Sequence, residues 1–421
     1  MRPFSQRVGH DEPLLRGPAG EQILAITSVI AAVQMVWGLL APILPAFAHS
    51  LGVGSGEIGL LVAGFGAGRV AVNIPVGILG RRVNRYWLFL GGAAVVVVAS
   101  AASGFATTFW ELLVLRIVGG MAGGVAITTG QSLLADSTTD GTRARAMSVL
   151  QGFQLAGGSI GPALGAFVAS TWGLNAPFFV SGVCCFGLVL WLLLRGSLRR
   201  GLSEVHRSGT TARVESQPLG RSFVIVCMVG FATFYSRFGI QQTLVPLIAY
   251  QVVGLTVAQL GFALSGIAIL NIACALFLAG LSDRVGRKRV IVTSLGGVAA
   301  ATLAYLFHTG VVGFLLVLAC YGVFSSIGGG TPAAYVADIA RGSRRGPAIG
   351  IYRTCGDVAG IVGPIIVGYA VEFDFAVAVV VSVAVNAIAA AAFALLAHET
   401  VPLPRRRKPV VEPEVRVPQP G

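Results

Sequence analysis

The chain has 421 residues, 55% of them hydrophobic and 11% charged, whereas an ordinary soluble domain carries roughly 25% charged residues. A soluble protein must cover its surface with polar groups, and a chain with a mean hydropathy of +0.81 cannot, which excludes soluble enzymes and disordered chains and leaves a polytopic membrane protein. The net charge of +13 must then be read by position, because basic clusters between apolar runs report which side of the bilayer each connection occupies.

Arg2, Arg7 and Arg16 precede an apolar run that is too long for a signal-peptide core and lacks a clear cleavage site, so it reads as an uncleaved first span after a segment at 1–22. Twelve apolar segments follow in order, at about 23–47, 57–79, 87–106, 108–134, 146–171, 175–195, 222–248, 257–280, 289–308, 311–337, 347–371 and 375–397. Each is close to the ~20 residues that a helix needs to cross ~30 Å of hydrocarbon. The runs are continuous rather than alternating, which selects helices over barrel strands. The expected fold class is an all-α polytopic membrane protein with twelve transmembrane helices. The six cysteines lie within or at the edge of apolar runs, so neither a disulfide framework nor a metal site is expected.

Charge in the connections alternates. Those after the second, fourth, sixth, eighth and tenth spans hold clusters such as Arg81, Arg82, Arg85 and Arg284, Arg287, Lys288, and the other connections hold no Lys or Arg. The positive-inside rule then puts both termini in the cytoplasm. The polar stretch 196–221 reads as a cytoplasmic linker between six-helix halves at 23–195 and 222–397, and the Pro-rich segment 398–421 as a disordered cytoplasmic tail. A constant shift of 202 carries Gly59 to Gly261, Arg85 to Arg287, Asp136 to Asp338, Gly161 to Gly363 and Pro162 to Pro364. Because each half has six spans, the copies share one orientation and are related by an axis along the membrane normal, with a midplane site between them.

Three segments carry a family resemblance. Leu281-Ser-Asp283-Arg284-Val-Gly286-Arg287-Lys288, after span eight, resembles the loop signature of the major facilitator superfamily, in which an acid and basic residues clamp helix ends at the cytoplasmic face. Gly77-Ile-Leu-Gly-Arg81-Arg82-Val-Asn84-Arg85, after span two, is a degraded copy in which Arg81 replaces the acid and Asn84 the glycine. The resemblance implies an acid-mediated latch only in the second half, through Asp283, with Gly77, Arg81, Arg85, Asp136, Arg284, Arg287, Lys288 and Asp338 completing the gating-loop set. The alternative is a topogenic basic turn. Arg116-Ile-Val-Gly119-Gly120 in span four is similar to the signature whose arginine the family links to proton coupling. Gly157, Gly161, Pro162 and Gly165 in span five resemble the family's antiporter signature, with Ala166 where a further glycine is common. A generic small-residue packing face would account for the same glycines.

Within the spans lie Arg69, Arg116, Arg237 and Arg353 but only one clear acid, Asp357. A charge in hydrocarbon must face a cavity or a partner, and a lone intramembrane carboxylate suits a proton carrier. Arg69 and Asp357 sit about ten residues, or ~15 Å, from the basic ends of spans two and eleven, which the resemblance implies are neighbours across the interface, so they are expected to pair between halves. Arg353, one turn from Asp357, is the competing partner. Spans one, four, seven and ten line the central path in the family, which nominates Gln34, Trp37, Arg116, Tyr235, Arg237, Gln241 and Tyr321 as cavity residues. The resemblance implies a proton-coupled exporter of small amphiphilic molecules, with uptake or facilitated diffusion as the alternative and a non-transporting receptor or scaffold as a third reading. Missing acids in span one lean the substrate toward neutral or anionic molecules. No enzyme activity and no cofactor are expected. The partners would be a small-molecule substrate, protons and the bilayer, not nucleic acid, with the chain acting as a monomer in the inner membrane of a bacterium.

Overall fold

The computed structural model describes residues 17–79, 83–138, 140–195, 220–278, 281–307, 310–340 and 345–401. Arg81, Arg82, nearly all of the expected linker and most of the expected tail lie outside the described residues. In hydrocarbon every backbone polar group must be satisfied within its own segment, and the described residues form helices without strands. Twelve rods result. The first half holds Gly17–Leu40 continued by Ile43–Ser50, then Ser55–Leu79, Arg85–Ser103, Phe109–Asp136, Asp140–Trp172 and Ala176–Leu194. The second begins with Arg221–Tyr235, Ser236–Leu244 and Val245–Gln251 as one rod, followed by Val257–Phe277 and Arg287–Ala304. It ends with Val311–Gly328 prolonged by Thr331–Ile339, then Arg345–Phe373 and Phe375–Leu396. Ten rods are long and apolar enough to cross a membrane on their own composition. The fifth and ninth are not among these ten, and both carry arginines in their first turns.

Local chemistry sets the ends of the rods. Thr108 with Glu111 and Thr256 with Gln259 form capping boxes at the starts of the fourth and eighth spans. Pro246 cannot donate a backbone bond and crowds the preceding turn. The seventh span widens into a π-helix over Ser236–Leu244 just before it, where the Thr243 hydroxyl donates to the Phe238 carbonyl at 3.0 Å. The first span breaks at the corresponding depth, between Leu40 and Ile43, next to Pro42. Gly52 and Gly254, 202 residues apart, both turn the chain at φ near +75° (75° and 74°) in the connections that follow.

The face carrying the arginine-rich connections is called the basic face here. The second and eleventh spans cross the interface between halves antiparallel: Gly56 lies against Tyr369 and Glu372, Gly59 against Pro364 and Gly368, and Gly66 against Gly360. The same approach recurs where the fifth and eighth spans meet, with Gly261 against Pro162 and Ala166. Gly59 with Pro364 and Gly261 with Pro162 are copies under the shift of 202. The internal repeat is therefore a packing repeat, in which glycine on one half receives the helix backbone at a proline on the other.

Both seams lie from mid-membrane toward the face opposite the basic one. The Gly56 amide donates to Glu372 at 2.8 Å, the Ala163 amide to the Ser265 hydroxyl at 2.8 Å, and the Tyr250 hydroxyl to the Pro42 carbonyl. One buried core runs through both halves in this region. Toward the basic face the second half has a separate core, built around Val226, Tyr335, Tyr352 and Phe393. A Cβ at Gly59 or Gly261 would strike backbone or a packed methyl, and overpacking costs typically ~1–3 kcal/mol. Gly59→Leu and Gly261→Leu should each lower the thermal midpoint of the detergent-purified chain, and by similar amounts because the sites are equivalent. Differential scanning fluorimetry would check this.

Candidate functional site

The glycines of the fourth span place the central arginines. Gly120 lies against the Phe65 backbone, Gly68 against the Ile117 backbone, and Gly124 against Val72 and Arg69, so the second span packs closely on the fourth. Arg116, one turn before Gly120, is 7% exposed. Its Nε lies 3.4 Å from the Leu61 carbonyl, and its guanidinium carbon lies 5.5 Å and 5.3 Å from the ring centroids of Trp37 and Phe65. No carboxylate among the described residues pairs with it. π faces offset part of the cost of burying this cation.

The antiparallel register of the second and eleventh spans, continued one turn past Gly66 and Gly360, brings Arg69 to Asp357, and the two form an ion pair between the halves. Arg353 is exposed and makes none of the described ion pairs. At the equivalent positions of the other seam stand Asn271 and Leu155, so the charge pair has no copy. The Asn271 side-chain oxygen instead accepts from Ser326 at 2.7 Å within the second half.

Trp37 joins the two halves at this depth, its ring centroid 3.9 Å from that of Phe65 and 5.8 Å from that of Phe238. Gln34 and Gln241 are half-buried. Arg237 lies in the π-helical turns and is exposed in mid-span, within electrostatic reach of Arg69 across the interface. Two of the expected cavity residues are placed otherwise. Tyr235 is fully buried with its hydroxyl 3.3 Å from Ser382, and Tyr321 is 1% exposed and donates to the Ser236 carbonyl at 2.6 Å. Both tyrosines tie the seventh span into its own half rather than lining a cavity. Tyr321 serves a carbonyl of the neighbouring wide turn, and Tyr235, just before that turn, reaches the last span. Phe65 and Phe238, which sequence reasoning did not single out, stand in their place.

At the basic face the two halves carry equivalent ion pairs: Arg85 with Asp136, and Arg287 with Asp338 at 2.9 Å. Each joins the start of one span to the end of the next. Asp283 does not act across a neighbouring helix end as its motif suggests. Its carboxylate is 66% exposed and 3.6 Å from Arg287 on its own chain segment. The acid that caps a helix there is Glu399, which accepts from the Arg287 and Lys288 amides at 2.9 and 3.1 Å at the positive start of the ninth span. The Lys288 ammonium donates to the Ala397 carbonyl at 2.8 Å, and Thr400 to Asp338 at 2.9 Å. The start of the expected tail is thus docked. The departure at Asn84 also has a reason. Gly286, its copy, sits at φ +103° and leaves its helix to be capped by Glu399, while Asn84 caps its own helix by accepting from the Tyr86 amide at 2.9 Å. Arg284 is exposed, Gly77 lies in the last turn of the second span, and Arg81 falls outside the described residues.

Gly157, Gly161 and Gly165 form one face of the fifth span, set against Ala31, Gly38 and Leu39 of the first. The corresponding contact in the second half is Gly363 on Gly239.

A family model described as Major Facilitator Superfamily matches residues 26–240 and 226–419. Multidrug resistance protein 2 of Bacillus subtilis (strain 168) is 25% identical over 358 residues, covering 82% of this chain and 87% of that protein. Among solved structures, an inward-facing, unoccupied bacterial homologue of the human lysosomal transporter Spinster superposes with a TM-score of 0.75 at 14% identity, over 90% of this chain and 97% of that one. The nucleoside transporter NupG superposes with a TM-score of 0.69 at 14% identity, over 88% and 98%.

The basic-face pairs generate a test. Arg85→Gln and Asp136→Asn should each destabilise the chain, and the double variant should cost less than the sum. The expected coupling is on the order of 0.5–3 kcal/mol, and a double-mutant cycle on chemical denaturation would measure it.

Proposed function

The chain belongs to the Major Facilitator Superfamily and is a membrane transporter rather than an enzyme, and from that premise we propose that it exports small amphiphilic molecules in exchange for protons. The observation that carries this reading is the ion pair of Arg69 with Asp357, the one clear acid within a span, formed between the two halves. A carboxylate there links proton binding to the contact that holds the halves together. The name of the Bacillus subtilis relative, a multidrug resistance protein, supports drug-like molecules as the cargo. In orientation, the positive-inside rule puts the basic face and both termini in the cytoplasm of a bacterial cell.

The hydrogen bonds and the ion pair found between halves, among the described residues, lie from mid-membrane toward the opposite face. Together with the separate core toward the basic face, this supports a state open to the cytoplasm. In the proposed cycle a proton reaches Asp357 from outside when the seams are parted. The halves then rock, which closes the outer seam and opens the basic face, the proton leaves to the cytoplasm, and the regained carboxylate re-forms its pair with Arg69 and holds that seam shut. Removing one partner of such a pair strands the other, at ~3–5 kcal/mol for a fully buried one. Neutralising Asp357 should therefore favour the outward-open state as well as abolish proton exchange.

In proteoliposomes with an imposed pH gradient, Asp357→Asn should retain substrate exchange down its own gradient and lose gradient-driven accumulation and substrate-dependent proton flux. Unchanged proton coupling in this variant would refute the role of Asp357, and accumulation in the opposite direction would refute export.

A further inference from the structure

The charges at mid-membrane do not balance. Of the arginines there, Arg69 is neutralised by Asp357. Arg116 is buried against two aromatic rings and a carbonyl. Arg237 is exposed although it sits in mid-span, and it lies within electrostatic reach of Arg69, so it faces the space between the halves rather than lipid. No carboxylate in a described span other than Asp357 is available to compensate these two cations, or Arg353 one turn nearer the basic face, since the other acids of the described spans all lie near span ends. A guanidinium beside an apolar wall, with no hydrogen bond or ion pair of its own among the described residues, is a site at which an anion lowers the free energy more than a neutral molecule does and a cation raises it. The wall is present: Trp37 contacts Phe65 on one side and Phe238 on the other, bridging the halves next to Arg116.

We propose that the interface between the halves binds an amphiphilic organic anion, its charged head between Arg237 and Arg69 and its aromatic or aliphatic body against Trp37, Phe65 and Phe238. This names the substrate class of the transporter and rests on that reading. It also supplies a reason for exchange. An anion beside Arg69 competes with Asp357 for the same guanidinium, so cargo loosens the seam from the cytoplasmic side, and a proton taken up by Asp357 from outside frees Arg69 of its partner while the seam is parted. Anion outward and proton inward both carry positive charge inward, so an interior-negative potential drives the cycle. One-for-one exchange of a monovalent cation for a proton would not respond to it.

Binding to the full chain in nanodiscs tests the proposal without needing flux. Three probes share one body: 2-naphthoate, 2-naphthamide and 2-naphthylmethylamine. In phosphatidylcholine nanodiscs the carboxylate should bind at least tenfold more tightly than the amide, with the amine weakest. Arg237→Gln should remove that preference while leaving the amide unchanged, and Arg237→Lys should restore part of it. An anionic lipid headgroup presents the same chemistry. If phosphatidylglycerol in the nanodisc displaces naphthoate from the unsubstituted chain and fails to bind Arg237→Gln, the anion site stands and a lipid is its source. Tighter binding of the amine, or a naphthoate preference that survives in a folded Arg237→Gln chain, would overturn the proposal. Loss of proton coupling in flux assays would count against proton-driven export but leave these binding ratios untouched, so the two failures are distinguishable.

Discussion

The structure depends on the close approach of backbones across the interface between its halves. Lipid supplies no hydrophobic force to hold one helix against another, so association rests on packing, and packing improves most where side chains are absent. Gly59 and Gly66 on the second span and Gly261 on the eighth meet this requirement, each lying on backbone or a small side chain of the facing half. The register set by these contacts carries Arg69 to Asp357, and the glycines of the fourth span bring Arg116 beside Phe65. The chemistry at the centre is placed by residues that have no chemistry of their own.

Much of this was legible in the sequence because a transmembrane helix is nearly a ruler. At ~1.5 Å per residue, counting from the basic ends gives depth, and matched depth with opposite charge, on two spans that the family resemblance makes neighbours, brought Arg69 and Asp357 together on paper. The repeat was legible for a related reason: residues at bends and close contacts, such as Gly161 with Pro162, tolerate few substitutes. What counting cannot give is the direction in which a side chain points once the helix departs from regular geometry. Tyr321, expected in the cavity, is instead drawn to the Ser236 carbonyl at the start of the π-helical stretch, and Tyr235, the residue before that stretch, turns to Ser382. Glu399 was missed because it follows the last apolar run and precedes a Pro-rich segment, and nothing in its neighbours announces that it caps a helix more than a hundred residues earlier.

The two halves agree in packing and disagree in charge. Seam contacts, positive-φ glycines and the basic-face pairs Arg85 with Asp136 and Arg287 with Asp338 all recur. The central ion pair does not, since Asn271 and Leu155 occupy the equivalent places. The cap at Asn84 was exchanged for one at Glu399 in the second copy. Positions that define shape are retained in both copies, whereas those that define chemistry occur in one.

The placement of both seams in the same half of the bilayer also has a mechanical meaning. Two stiff bodies joined near one end behave as a pair of levers sharing a fulcrum. With arms that run through much of ~30 Å of hydrocarbon, a small rotation at Gly59 and Gly261 produces its largest displacement at the far ends, where the arginine-rich connections lie. A glycine contact a few ångströms across can thus govern an aperture several times wider, and the leverage favours the face on which the halves share no core.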